Sequence, residues 1–210
     1  MSELARRSLV GVLLMAVALG AAARGGYFFA TLVALASCVM FYEWRRMVRG
    51  WGFGWQVAGF VYALLPALAM LWIRERSPLG LELLLWVFIT AWSVDIGAYF
   101  AGRSIGGPRL APAISPNKTW AGLLGGMVAA ALFGGLWAWL LALPALLIVL
   151  AAPFAAAAQG GDLFESWLKR KAGIKDSGGW LPGHGGALDR LDGLVVVATL
   201  TAAAMIAGWL

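Results

Sequence analysis

The sequence has one cysteine, Cys38, and one histidine, His184, among 210 residues. A single thiol cannot form an internal disulfide, and this pair cannot supply the Cys/His set of a structural zinc site. Charge is also scarce: 12% of the residues are charged, whereas a soluble domain usually has about 25%. Hydrophobic residues make up 62% of the chain, more than a soluble fold of this length can bury. The composition therefore predicts a membrane-embedded protein.

Seven long apolar runs alternate with short charged segments. Each run approaches the ~20 residues that a helix needs to cross the hydrocarbon core of a bilayer. We predict an all-α, polytopic integral membrane protein with about seven transmembrane helices and a short cytoplasmic catalytic segment. We expect one domain, residues 1–210, with N-terminal spans in 1–80 and the catalytic spans and loops in 81–210. The predicted spans are Ser8–Ala23, Tyr27–Phe41, Val57–Ile73, Leu81–Ala101, Trp120–Leu141, Leu143–Ala158 and Leu194–Leu210.

The placement of lysine and arginine predicts the orientation. With the N-terminus in the cytoplasm, only three of the 16 bases, Arg24, Arg74 and Arg76, fall outside. Cytoplasmic loops carry such an excess of bases, so we predict that the N-terminus lies inside and the C-terminus outside. We expect a multi-pass protein of a bacterial-type cytoplasmic (inner) membrane, with the active site facing the cytoplasm. The net charge of +6 could suggest nucleic acid, but the bases lie in short clusters between apolar runs, so no nucleic-acid partner is expected. As an alternative, the N-terminal run preceded by Arg6 and Arg7 also resembles a cleavable secretory signal.

Five of the ten acidic residues fall between the sixth and seventh predicted spans. A helix over residues 159–173 would place two of these acids on one face, at i and i+3, beside a hydroxyl and a base. An interfacial amphipathic helix with solvated charges is the alternative interpretation of this segment. The residues on the shared face are Asp162, Glu165, Ser166 and Lys169.

A second carboxylate pair, Asp189 and Asp192, shares a face of the next helix. Clustered carboxylates without cysteine or histidine partners favour a hard cation bound through oxygen. Mg²⁺ typically uses one or two carboxylates together with waters and substrate phosphates. Nearby bases could hold phosphate oxygens; they are Lys169, Lys175 and Arg190.

The loop between the two pairs is rich in glycine, including Gly185 and Gly186 beside His184. Glycine lets backbone N–H groups approach an anion closely. The loop therefore predicts a phosphate or base contact, although a structural hydrogen bond is the alternative role for His184.

Upstream, a third polar cluster lies close to the membrane. Asp95 stands inside the fourth predicted span, and an acid at such a position is a functional candidate by default. The alternative is a structural ion pair with Arg103 or Lys118. Lys118 and Thr119 open the fifth span, where Thr119 is a candidate N-cap and the helix N-terminus favours phosphate.

The stretch SWLKRKAGIKDSGGWLPGHGGALDRLD, residues 166–192, resembles the signature of the CTP:phosphatidate cytidylyltransferases (CDP-diacylglycerol synthases). That signature runs S-x-x-K-R, four residues, K-D, then H-G-G and D-R-x-D. DIGAYFAGRSIG from Asp95, ISPNKTWAG from Ile114 and GDLFES from Gly161 are similar to the same family. The sequence departs from the family at Ala187, where a larger aliphatic residue is usual, and at Ile96, where threonine is common.

The resemblance implies a nucleotidyltransferase that makes CDP-diacylglycerol and pyrophosphate from CTP and phosphatidic acid with Mg²⁺, a second cation being left open. It suggests a homodimer. A CTP-dependent kinase of a polyprenol or other lipid alcohol and a small membrane transporter are the alternatives. The expected catalytic residues are Asp162, Lys169, Lys175, Asp189 and Arg190. Asp162 and Asp189 are the expected metal ligands, supported by Glu165 and Asp192. The expected substrate-binding residues are Asp95, Lys118, Thr119, Ser166, Arg170, His184, Gly185 and Gly186.

Overall fold

A computed structural model describes residues 3–179 and 185–210, with side chains from residue 10 onward. The described part of the chain has seven α-helices, which confirms the all-α fold class. Five of them, α2 to α6, are long and apolar enough to cross a membrane. The residues Val10–Arg24 of α1 form a shorter apolar segment, so the count of seven transmembrane helices stays a prediction. The helices are α1 Glu3–Arg24, α2 Gly26–Met47, α3 Phe53–Arg74, α4 Gly80–Ser104, α5 Trp120–Leu140, α6 Leu146–Lys171 and α7 Leu188–Ile206.

The sixth helix differs from its prediction. The sequence predicts a span that ends at Ala158 and a separate surface helix over 159–173, but α6 is one helix of 26 residues. Gly160 and Gly161 lie inside it without interrupting it. Gly161 is instead a packing position, because a Cβ there would lie 3.2 Å from the Asp192 carbonyl oxygen of α7. The polar face of residues 162–169 therefore extends a membrane helix and is held rigidly by it.

A short β-hairpin, which the sequence analysis did not predict, connects α4 to α5. Strand β1, Arg109–Ala111, pairs antiparallel with β2, Ser115–Thr119. The hairpin ends where α5 begins, and the Thr119 hydroxyl accepts a hydrogen bond of 3.0 Å from the Gly122 N–H. Thr119 is thus the N-cap of α5, as predicted.

Helices α4 and α5 pack closely through glycines. A Cβ on Gly126 would lie 2.9 Å from the Val94 carbonyl oxygen, and one on Gly134 would lie 2.7 Å from the Thr90 hydroxyl. Small residues at such crossings let helix backbones approach in a membrane protein. The Trp137 indole adds a 3.0 Å hydrogen bond to the Glu82 carbonyl. This rigid pair forms one wall of the cavity described below.

We call the end of the bundle where α2, α4 and α6 finish and α7 begins the basic end, because lysines and arginines are concentrated there. Lys171 of α6 lies over the rings of Trp51, Trp55 and Trp167, at 4.6, 4.9 and 5.2 Å from their centres. The Lys171 side chain is itself exposed, and cation–π contacts at exposed sites contribute about 0.5–1 kcal/mol. They attach the end of α6 to the α2–α3 turn, so the predicted cytoplasmic loops lie together.

Candidate active site

A cavity of about 210 Å³ lies between α4, α6 and the start of α5. Acidic, basic and amide side chains line it, together with small residues such as alanine and glycine. The cavity contains three of the predicted substrate-binding residues, Asp95, Lys118 and Thr119, and the predicted metal ligand Asp162. The remaining lining residues are Ala98, Tyr99, Gly102, Asn117, Gly122, Leu123 and Gln159.

The Lys118–Asp162 ion pair crosses the cavity wall and joins β2 to α6. The Asp162 side chain keeps 32% of its surface exposed, and the Lys118 side chain keeps 17%. Ser166, one turn further along α6, has its hydroxyl 3.4 Å from an Asp162 carboxylate oxygen. Asp162 is therefore held in place while one side of its carboxylate stays accessible from the cavity.

Lys169 lies between two carboxylates from different helices. Its ammonium is 3.0 Å from Glu165 on α6 and 2.5 Å from Asp189 on α7. These side chains are 2% and 11% exposed, and that of Lys169 is 15% exposed. A base enclosed by two acids in a desolvated setting is strongly fixed. The structure thus brings together three of the residues that the sequence assigns to chemistry.

Asp189 also holds the loop that precedes α7. One of its oxygens accepts hydrogen bonds from the Ser177 N–H at 2.9 Å, the Ser177 hydroxyl at 2.9 Å and the Gly186 N–H at 2.8 Å. Asp189 lies in the first turn of α7, before its apolar part. Burial raises the pKa of the Asp189 carboxyl, but the hydrogen bonds from Lys169 and Gly186 outweigh burial and lower the pKa to about 2. Asp189 is therefore a carboxylate across the physiological pH range.

Asp192 faces the cavity side of α7. It lies within electrostatic range of Asp162, Asp95 and Lys118, and it accepts a 2.7 Å hydrogen bond from the Gly193 N–H. The acids thus form two layers along α6 and α7: Asp162 with Asp192 toward the cavity, and Glu165 with Asp189 around Lys169. Among the described residues, no group of three or more His, Cys, Asp and Glu side chains is arranged to hold a metal ion by itself.

The remaining predicted phosphate-binding residues are on the surface of the basic end. Lys175 and Arg190 are exposed, and Arg170 donates a 3.3 Å hydrogen bond to the Ile114 carbonyl of the hairpin turn. His184 lies outside the described residues. The Gly186 N–H is already bonded to Asp189, so the geometry gives no support to a contact of that N–H with a substrate anion.

Glu43 is a site residue that the sequence analysis missed. It is fully buried near the end of α2 and accepts hydrogen bonds from the Ala187 and Leu188 N–H groups at 3.0 and 2.9 Å. The Ser177 hydroxyl lies 3.1 Å from the same carboxylate. The available signal was a lone acid at the end of an apolar helix, beside Arg45 and Arg46, and this pattern is equally typical of an interfacial charge.

Comparison with known proteins identifies the family of the chain. A family model described as the cytidylyltransferase family matches residues 49–207, a range that contains the cavity and both carboxylate layers. The chain belongs to the cytidylyltransferase family. This membership confirms the resemblance seen in the signature.

Several relatives of this chain are named phosphatidate cytidylyltransferase. The protein from Brucella suis biovar 1 (strain 1330) is 47% identical over 171 residues, covering 80% of this chain and 62% of the relative. The Pseudomonas aeruginosa protein (strain PAO1) is 38% identical over 182 residues, covering 81% of this chain and 65% of the relative. The Rickettsia bellii protein (strain RML369-C) is 35% identical over 184 residues, covering 82% and 78%. The matched part of the chain thus spans about three fifths of the length of the Brucella relative.

Proposed function

We propose that this member of the cytidylyltransferase family is a CTP:phosphatidate cytidylyltransferase that makes CDP-diacylglycerol and pyrophosphate. The observation that carries the proposal is the polar cavity, about 210 Å³ in volume, whose walls include Asp95, Lys118 and Asp162 at the basic end of an apolar helix bundle. A charged cavity at the membrane surface is a place where a water-soluble nucleotide and a lipid headgroup can meet. The three relatives above, which share 35–47% identity with the chain, carry this activity in their names.

In the proposed reaction a phosphate oxygen of phosphatidic acid attacks the α-phosphorus of CTP. A new P–O bond forms, the bond from the α-phosphorus to the bridging oxygen of the β-phosphate breaks, and pyrophosphate leaves with that electron pair. Phosphatidic acid is already ionised at neutral pH, so no side chain need remove a proton. The main obstacle is repulsion between two anions, and fixed positive charges reduce it.

The bases of the site are arranged for this task. Lys118 lines the cavity from the end of β2 and would bind a substrate phosphate, with Asp162 holding its ammonium in position. Lys169 is fixed between Glu165 and Asp189, nearer the end of α6. Lys175, Arg190 and Arg170 would neutralise the triphosphate of the incoming nucleotide at the surface.

The carboxylates fit a divalent cation, for which we propose Mg²⁺. Mg²⁺ needs only one or two carboxylates when substrate phosphates and water complete its shell, so the absence of a larger ligand group in the described residues is compatible with it. Asp162 is the best-placed ligand, because it is accessible from the cavity and near Asp192. Both oxygens of Asp189 are engaged in hydrogen bonds, so its predicted direct contact with metal stays a prediction. When bound, the cation would neutralise phosphate charge and polarise the α-phosphorus.

The lipid tails would lie along the apolar outer faces of the bundle. On α5, Leu124, Val128, Leu132 and Leu136 are exposed at a spacing of four residues and form one stripe, and a bilayer would cover it. The excess of bases at the basic end supports a cytoplasmic site and an N-terminus inside. We propose the cytoplasmic membrane as the location; a homodimer stays a prediction.

The test follows label from CTP into lipid. Purified protein receives phosphatidic acid with CTP labelled at either the α- or the γ-phosphate, with and without Mg²⁺. We expect α-label in a lipid product only when Mg²⁺ is present, and γ-label only in pyrophosphate. Transfer of γ-label to lipid with release of CDP would replace the proposal by the lipid-kinase alternative. No transfer of either label would leave the activity unsupported.

The same assay in sealed membrane vesicles tests the orientation. CTP does not cross a bilayer, so inside-out vesicles should use externally added CTP and right-side-out vesicles should not. The reverse pattern would place the basic end outside and contradict the proposed orientation.

A further inference from the structure

The loop before α7 is anchored by a carboxylate from a distant helix. Glu43 of α2 lies 144 and 145 positions away from its partners Ala187 and Leu188. The first N–H groups of a helix have no partner within that helix. A negative side chain at this end is further stabilised by the helix dipole. Glu43 therefore caps α7 from outside its own sequence neighbourhood.

Glu43 is also linked to the predicted catalytic carboxylate through one hydroxyl. The Ser177 Oγ lies 3.1 Å from Glu43 and 2.9 Å from Asp189. A hydroxyl has one proton, so it can donate to only one of these carboxylates at a time. Ser177 also donates its N–H to Asp189. Asp189 and its partner Lys169 are thus positioned by a network that ends at Glu43.

The glycines of this loop are fitted to the same carboxylate. A Cβ on Gly178 would meet Glu43, and a Cβ on Gly186 would lie 2.6 Å from one Glu43 oxygen and 2.7 Å from the other. The sequence predicts that the backbone of this loop approaches an anion closely. It does so, but the anions are the carboxylates of Glu43 and Asp189. These glycines are needed for packing around Glu43.

We infer that Glu43 is a positioning residue for the reaction: it fixes the start of α7 and Ser177, and through them the Asp189–Lys169 pair. This inference rests on the proposed function for its kinetic consequence. Glu43 is not one of the residues that line the cavity, so we assign it no contact with substrate. Its loss should slow turnover more than it weakens nucleotide binding.

The test replaces Glu43 by an isosteric amide. In Glu43→Gln the amide nitrogen cannot accept, so at least one of the three hydrogen bonds is lost. We expect kcat to fall by about tenfold or more, since a displacement of ~1 Å in a catalytic group can cost up to about 10²-fold. KM for CTP should change much less than kcat. Glu43→Asp retains the charge and should recover part of kcat.

Thr201→Val serves as the matched control, because it removes a buried hydroxyl from α7 at a position far from the loop that precedes this helix. It should leave kcat unchanged per folded molecule. Ser177→Ala removes only the shared hydroxyl and should lower kcat less than Glu43→Gln does. A normal kcat in Glu43→Gln would overturn the inference. If Glu43→Gln does not fold, a normal kcat in Ser177→Ala would overturn it instead.

Hydrogen exchange separates this inference from the proposed function. Glu43→Gln should speed amide exchange in a peptide covering residues 185–190, whereas Thr201→Val should not. If the wild type forms no CDP-diacylglycerol while this exchange result holds, the proposed function fails and the role of Glu43 in holding α7 stands. If amide exchange in this peptide is the same in Glu43→Gln as in the wild type, Glu43 does not hold the start of α7.

Discussion

Asp162→Asn is expected to lower the rate of CDP-diacylglycerol formation by about 10²- to 10³-fold, the range for losing one preorganised electrostatic group. The change removes the negative charge that pairs with Lys118 at the cavity wall. It also removes the carboxylate best placed to bind Mg²⁺. The measurement is the initial rate of α-label transfer from CTP to lipid, at saturating phosphatidic acid and a series of Mg²⁺ concentrations.

Glu75→Gln is the control for this change, since it removes one negative charge from an exposed acid at the end of α3, away from the basic end. It should retain the wild-type rate. Asp162→Asn should keep the wild-type Tm within a few degrees, because Asp162 is partly exposed. A wild-type rate in Asp162→Asn at every Mg²⁺ concentration would exclude Asp162 as a metal ligand.

Lys169→Met is expected to destabilise the fold by about 3–5 kcal/mol, the usual cost of removing one partner from a buried charge pair. Without the ammonium, the carboxylates of Glu165 and Asp189 would be left desolvated and without their shared base. Activity should be lost as well. Denaturant or thermal unfolding in detergent, followed by tryptophan fluorescence, gives the change in the free energy of unfolding.

Two further variants make this prediction specific. Glu165→Gln combined with Lys169→Met removes one of the two unpaired acids and should recover much of the stability but not the activity. Lys171→Met, two residues along α6, removes a cation–π base instead of an ion pair and should cost only about 1 kcal/mol. Equal destabilisation by Lys169→Met and Lys171→Met would show that the pairing with Glu165 and Asp189 contributes little.

The sequence predicted the helices well because apolar runs of membrane length allow few other structures. It also predicted that Asp162, Lys169 and Asp189 belong to one region, since the helical period places acids and bases on shared faces. The predicted break between the sixth span and a separate helix over 159–173 was wrong, because charge at residues 162–169 is also typical of a surface helix. In the structure neighbouring helices supply partners for that charge, and α6 continues without a break.

Contacts between distant segments could not be predicted from local pattern. Helical periodicity gives the face on which Glu43 lies but not that this face meets Ala187, 144 residues later. The glycines of the α6–α7 loop show the same limit. Their spacing indicated an anion nearby, yet it could not distinguish a substrate phosphate from Glu43 and Asp189.

The central claim is that the lipid phosphate attacks CTP once, directly, in this cavity. The stereochemistry at the α-phosphorus tests this claim most directly. CTP made chiral there with sulfur and an oxygen isotope is supplied with phosphatidic acid and Mg²⁺, and the configuration of the CDP-diacylglycerol is determined. One in-line displacement predicts inversion. Retention would mean that a side chain first takes the cytidylyl group, which would contradict the account.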